Sequence, residues 1–316
     1  MANLLAQPRK WDRKAIYITD ESGGYGVDAA PTGLLNFVEA RNVTLTSFEA
    51  ETVDRNIVMP HMGNGGKIIT SIWSKLSFEI ALTGAGAAGT APKYAFLLLG
   101  LAFSETLDAG TSATYNVVSE NFDSLSAYIN IDGTLHKLLG CRGEAKFALS
   151  AKGLPILKIE LTSLYTAPAA AGMPAVDKTG WLIEEAVNAV KTGPLTVNGV
   201  DLAFSSFEWS CGNKIARIDL PGPQREVAIT NRAPTASATV LAPALGVFNP
   251  YALAEANTPV LVSNTHGSAA GKKVKTDLKA TISGVSEDQV EGMLAYKLSF
   301  SLDPVVGNDE ITLTIL

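Results

Sequence analysis

Cysteine and histidine are scarce: two cysteines, Cys141 and Cys211, and three histidines, His61, His136 and His266, are all that the 316 residues contain. Two cysteines make no disulfide framework of the kind small secreted domains use, and both are read as reduced thiols. None of the histidines has a His, Cys, Asp or Glu two to four positions downstream, so the short-range pattern of a metal site is missing. There is no Gly-x-Ser-x-Gly elbow and no Cys-x-x-Cys pair. Charge is also thin, at 18% of residues, and acids outnumber bases 31 to 25 for a net charge of −6. A protein that grips DNA or RNA through phosphates carries the opposite balance. DNA passing by without being held is compatible with it. Long apolar runs are lacking too. The longest, Ala95-Phe96-Leu97-Leu98-Leu99-Gly100-Leu101-Ala102-Phe103, is too short to span a bilayer as a helix, and the first residues show no apolar signal-peptide core.

What is present is a chain written twice. Thr46-Ser47-Phe48-Glu49 reads like Ser205-Ser206-Phe207-Glu208, about half the chain further on. In that register Gly63 falls on Gly222, Ile68 on Val227 and Leu82 on Leu241. Upstream, Thr32-Gly33-Leu34-Leu35 resembles Thr179-Gly180-Trp181-Leu182. Downstream, Tyr94-Ala95-Phe96 resembles Tyr251-Ala252-Leu253. Both halves close alike, on Leu157-Lys158-Ile159-Glu160-Leu161 and on Tyr296-Lys297-Leu298-Ser299-Phe300, each followed by a proline. The matches keep their order, while drifting offsets place insertions in loops, where they are tolerated. Between the halves, Thr166-Ala167-Pro168-Ala169-Ala170-Ala171-Gly172-Met173-Pro174 has the small residues and prolines of a linker.

The local pattern is mainly β. In Lys75-Leu76-Ser77-Phe78-Glu79-Ile80 every second residue is apolar, and the same alternation runs through 157–161 and 296–302. One-sided burial predicts antiparallel sheets with a second face left for solvent or a partner. Gly63-Asn64-Gly65-Gly66 predicts a long hairpin between strands over 49–58 and 67–73, and Pro221-Gly222-Pro223 predicts another between 214–220 and 226–230. Helix is expected over 93–101 and 181–190, with weaker counterparts over 251–256 and 33–39. Each half therefore reads as a β-sandwich or small barrel with one short flanking helix.

Two features invite a chemical reading. Gly84-Ala85-Gly86-Ala87-Ala88-Gly89 has the spacing of a dinucleotide loop between a strand and a helix. The strand before it alternates, Thr90-Ala91-Pro92 separates it from the helix, and no βαβ rhythm follows, so it is expected to be a Gly/Ala loop. The bases Arg55, Lys67, Lys272, Lys273 and Lys275 are expected on solvated faces or as guards against edge pairing.

A duplicated β-rich unit with long hairpins, a short helix, little charge and no catalytic constellation resembles the tail tube proteins of long-tailed phages. The resemblance is carried by 43–48 with its hairpin to Trp73, by 75–80, by the Tyr94 region and by 157–161, with counterparts between Leu202 and Leu302. It implies an N-terminal arm (1–25), a first tube domain (26–165), a linker (166–178) and a second tube domain (179–316). It further implies a virion structural protein without enzymatic activity or cofactor. Such a protein would be assembled in the host cytoplasm, without a membrane, into stacked rings around a DNA-conducting lumen. A duplicated subunit would close the ring as a homotrimer. The implied partners are copies of itself, the tail terminator, tape measure and baseplate proteins, and passing DNA. Contacts between rings are expected from Trp11 on the arm, from Asp54, Arg55, Met59, His61, Asn64 and Lys67 on the first hairpin, and from Lys214, Arg217 and Arg225 on the second. Glu49, Lys75, Glu79 and Glu208 are expected to line the lumen as an acidic wall that repels DNA. The rival readings are an adhesin or carbohydrate-binding β-sandwich, and a nucleotide-dependent oxidoreductase resting on the glycine loop.

Overall fold

The computed structural model describes residues 8–316. Alternating apolar positions become strands throughout. The first half contains β1 (Lys14–Asp20), α1 (Gly33–Asn36), β2 (Arg41–Asp54), β3 (Lys67–Ala81), α2 (Ala95–Leu99), β4 (Phe103–Asp108), β5 (Ser112–Val117), β6 (Leu125–Ile131), β7 (Thr134–Ser150) and β8 (Ile156–Tyr165). After the short β9 (Ala169–Ala170) come β10 (Leu195–Val197), β11 (Val200–Leu202), β12 (Phe204–Ser210), β13 (Asn213–Asp219), β14 (Arg225–Arg232) and β15 (Thr235–Leu241). The chain ends with α3 (Pro250–Glu255), β16 (Pro259–His266), β17 (Val274–Val290), β18 (Met293–Leu302) and β19 (Ile311–Ile315). The protein is mainly β, and every strand pair among the described residues is antiparallel.

The two halves repeat one topology. Neighbouring strands run β1-β6-β7-β8-β3-β2 in the first half. They run β10-β16-β17-β18-β15-β12 in the second. The closing-strand match read from the sequence holds: Leu161 stands opposite Leu76 as Phe300 stands opposite Ala236. The Thr46–Glu49 match does not. Leu45 faces Leu76 and Trp209 faces Ala236, which makes Leu45 the equivalent of Trp209. The pairing of β2 with β3 shifts register at three places, and extra residues at bulges slide sequence likeness away from spatial equivalence.

The halves are joined edge to edge. Trp209 of β12 pairs with Phe147 of β7, and Leu313 of β19 pairs with Tyr115 of β5. One apolar core results, containing Phe78, Ile80, Leu157 and Ile159 together with Phe207, Trp209, Leu298 and Phe300. Each such large apolar side chain contributes about 1.5–3 kcal/mol relative to exposure. In α3, Asn249 accepts the Ala252 N–H at 3.1 Å and Pro250 opens the helix, so this short element starts with a side-chain cap.

Two expectations are corrected. No helix forms over 181–190. Ile183 and Val190 are 89% and 85% exposed while Val187 is buried and Trp181 packs on the core, so the residues that the spacing put on one face are divided between solvent and core. Instead, the segment is held extended by Val187, whose N–H donates to Gly153 O and whose carbonyl accepts from Lys152 N, both at 2.9 Å. The stretch 1–25 is not all arm, because β1 lies within it and buries Ile16 and Ile18 against the core. The glycine segment 84–89 is a loop, as the sequence reading expected. β3 lies between antiparallel neighbours. The Gly86 N–H donates to Gly271 O at 2.7 Å, and a Cβ on Gly84 would stand 2.1 Å from that same oxygen. These glycines permit close backbone packing.

Candidate functional site: an assembly surface

Alternation gives the joined sheets a buried face and a polar one. Glu79, Lys146, Lys158, Glu208, Ser210, Ser237 and Ser299 line one groove of about 600 Å³ that crosses the junction between the halves. Lys75 lines a neighbouring recess with Glu144 and Glu160. Fold thus brings Glu208, far away in sequence, onto one face with Lys75 and Glu79 of β3. The face is less acidic than expected. Lys158 pairs with Glu160 at 2.7 Å, Lys146 with Glu144 at 3.8 Å, and Lys75 with Glu49 at 3.0 Å.

The two long hairpins differ. The second is a separate ribbon of β13 and β14. Gly212 (φ +63°) turns the chain out of β12 where a Cβ would meet Ala233 O at 2.1 Å. The ribbon lies on the first half. Arg217 donates to Glu49 at 2.8 Å and reaches Glu51 at 3.7 Å, and Arg142 donates to Val227 O at 3.0 Å. Arg225 donates to Ile72 O at 2.6 Å, and both Arg217 and Arg225 lie over the Trp73 ring. Arg217 and Arg225, expected between rings, are thus engaged inside their own chain, while the Lys214 side chain is exposed.

The first hairpin stands bare. Lys67 pairs with Asp54 at 3.5 Å, and the Arg55 N–H closes the hairpin on Gly66 O. Asn64 accepts the Gly66 N–H at 3.1 Å. Arg55 and His61 are exposed and Met59 is half-buried. Sequence reading missed the apolar part: Val58 and Met62 are 98% and 101% exposed, and Val53, Ile57, Ile68 and Ile69 are exposed beside them. The density of Ile, Val and Met across a Gly-rich turn was the available signal. Trp11 is exposed, with Lys14 Nζ 3.7 Å from its ring centre. The rest of the expected arm, residues 1–7, lies outside the described residues.

Two of the strand edges left open bear on assembly. Among the described residues β2 pairs only with β3, and β17 beyond Ile282 pairs only with β18. At Gln289 the backbone N–H turns to the Asp288 carboxylate at 2.7 Å. A family model described as phage tail tube protein matches residues 11–314.

The chain belongs to that family. A comparison with curated proteins finds no match. This tail tube protein is a structural component of the virion tail.

Electrostatics fix the docked ribbon of the tail tube protein. The Arg217 guanidinium, then Lys75, holds the Glu49 carboxyl below its usual range. With its folded pKa depressed, Glu49 contributes stability above the ordinary glutamate range and loses it as pH falls through the lowered value. Acidification below about pH 4 is expected to reduce amide-exchange protection in β13 and β14 before that in β3. Arg217→Gln should reduce protection already at neutral pH. Equal loss in all three strands would contradict this.

Proposed function

We propose that this tail tube protein is a ring-forming subunit, three copies of which close a ring of six like units around the DNA path. The carrying observation is the β7–β12 junction, an in-chain example of how two of these units join. Its equivalents are the open edges of β2 and β17. Phe147 and Glu287 correspond, because they stand opposite Leu157 and Tyr296. Trp209 corresponds to Leu45. A neighbour's β2 therefore pairs with β17 in the register Leu45 opposite Glu287, continuing the sheet from chain to chain. Closure removes both open edges.

On this reading the polar face carrying Lys75, Glu79 and Glu208 lines the lumen, and its paired charges let DNA slide without being held. Rings stack by heterologous contacts into a tube, and the tail terminator, tape measure and baseplate proteins meet its ends and interior. Assembly takes place in the host cytoplasm. Purified protein at high concentration is expected to give six-lobed rings or tubes in electron micrographs, with three chains per ring by mass. A species that stays monomeric, or rings of six chains, would overturn the proposal.

A further inference from the structure

Two equivalent hairpins sit differently in this chain: the β13–β14 ribbon is docked and the β2–β3 hairpin is bare. Two equivalent landing surfaces also differ. On the first half the ribbon lies over Trp73 at one end of the polar face, with its Ile215 beside Lys75 and Thr162 and Lys75 still exposed. Lys75 and Thr162 face each other across β3 and β8, as Thr235 and Ser301 face each other across β15 and β18. The second pair is the spatial equivalent of the first, and no ribbon among the described residues covers it. Thr235 and Ser301 instead line an open cleft of about 540 Å³, with Asn213, Arg232, Asp303 and Glu310.

The cleft carries an acidic excess, Asp303 and Glu310 against the one base Arg232, whose Nε donates to Glu310. A chain that fills it with a positive charge complements that excess. The bare hairpin has matching chemistry. Arg55 makes no ion pair among the described residues, and Val53, Ile57, Val58 and Met62 around it are exposed. In the docked ribbon the same division holds: Ile215 packs on the sheet while Arg217 reaches the acids Glu49 and Glu51.

We propose that the cleft receives the β2–β3 hairpin of the laterally adjacent copy, with Arg55 entering on the Glu310 side. The hairpin then clasps neighbours within one ring, in place of the contact between rings that the sequence led us to expect. This rests on the ring reading, since the β2–β17 pairing brings the hairpin's base to the neighbour's second half.

Cross-linking tests it. Ile57→Cys and Thr235→Cys are placed in one full-length chain, whose native Cys141 and Cys211 are buried and unreactive, and the assembled material is treated with a short bifunctional thiol reagent. The expected product is a covalent series that stops at the trimer. A ladder beyond the trimer, or no cross-link in well-formed tubes, would overturn the proposal and leave the ring reading standing. Absence of rings in micrographs together with absence of cross-links would overturn both. Arg55→Glu is expected to raise the concentration needed for assembly about tenfold or more, through like-charge contact with the cleft's acids, with the monomer's melting temperature unchanged. Unaltered assembly would contradict the role of Arg55.

Discussion

Gln289→Pro is expected to fold as the parent chain does and to form no tubes at any attainable concentration. The prediction follows from the parity of an antiparallel ladder. Across the in-chain junction Cys211 N donates to Ala145 O and Ala151 N donates to Ser205 O. Alternate residues of a strand present their backbone groups to the same side. Phe147 and Leu149 therefore face β12, and their equivalents Glu287 and Gln289 face the open edge of β17. The Gln289 N–H has no strand partner, only the Asp288 carboxylate, so proline there removes no bond of the β17–β18 ladder. It does remove a donor from the edge and fills the space a neighbouring strand would occupy. The change in monomer stability should stay within about 1 kcal/mol, the range of surface substitutions. Thermal melting and sedimentation, read beside electron micrographs, separate the two effects. Normal tubes from this variant would show that β17 is not the assembling edge.

Trp209→Ala is expected to cost about 3–5 kcal/mol of stability, the range for removing a large buried aromatic. Trp209 is stacked on Phe147 with ring centres 5.5 Å apart, and Phe147 meets Phe207 edge-on at 6.0 Å. These rings tie the first half to the second, so their loss should also make unfolding less cooperative. Among the described residues the indole Nε1 has no hydrogen-bond partner. Trp209→Phe therefore loses ring area and no hydrogen bond, and should cost well under half as much. Urea unfolding followed by circular dichroism measures both. Equal losses from the two substitutions would place the indole N–H, against its geometry, among the stabilising groups.

The strands were legible because half-burial imposes a period of two, and that period is written in Leu76, Phe78 and Ile80 as it is in Leu157, Ile159 and Leu161. The order of the repeat was legible for the same reason. Its register was not, since bulges in β2 displace Thr46-Ser47-Phe48-Glu49 from the residues it resembles. The helix expected over 181–190 failed because spacing alone does not say whether the residues of an apolar stripe meet the same surface. Of the residues on the polar face, the sequence supplied Lys75, Glu79 and Glu208 as outward positions. The lysines that share the groove with Glu79 and Glu208, Lys146 and Lys158, come from strands distant in sequence and were found only in space.

The sequence by itself determined local matters: antiparallel strands, two long hairpins, two like units and the absence of a short-range catalytic or metal pattern. Those follow from the alternation of side chains and from turn residues, which act within a few positions. Tertiary structure alone decided which edges are joined and which stay open, and which hairpin is docked and which is bare. Backbone hydrogen-bonding groups are the same in every residue but proline, so nothing in the apolar alternation marks an edge as paired. Only the arrangement of β7 against β12 distinguishes the sealed edge from the open ones at β2 and β17.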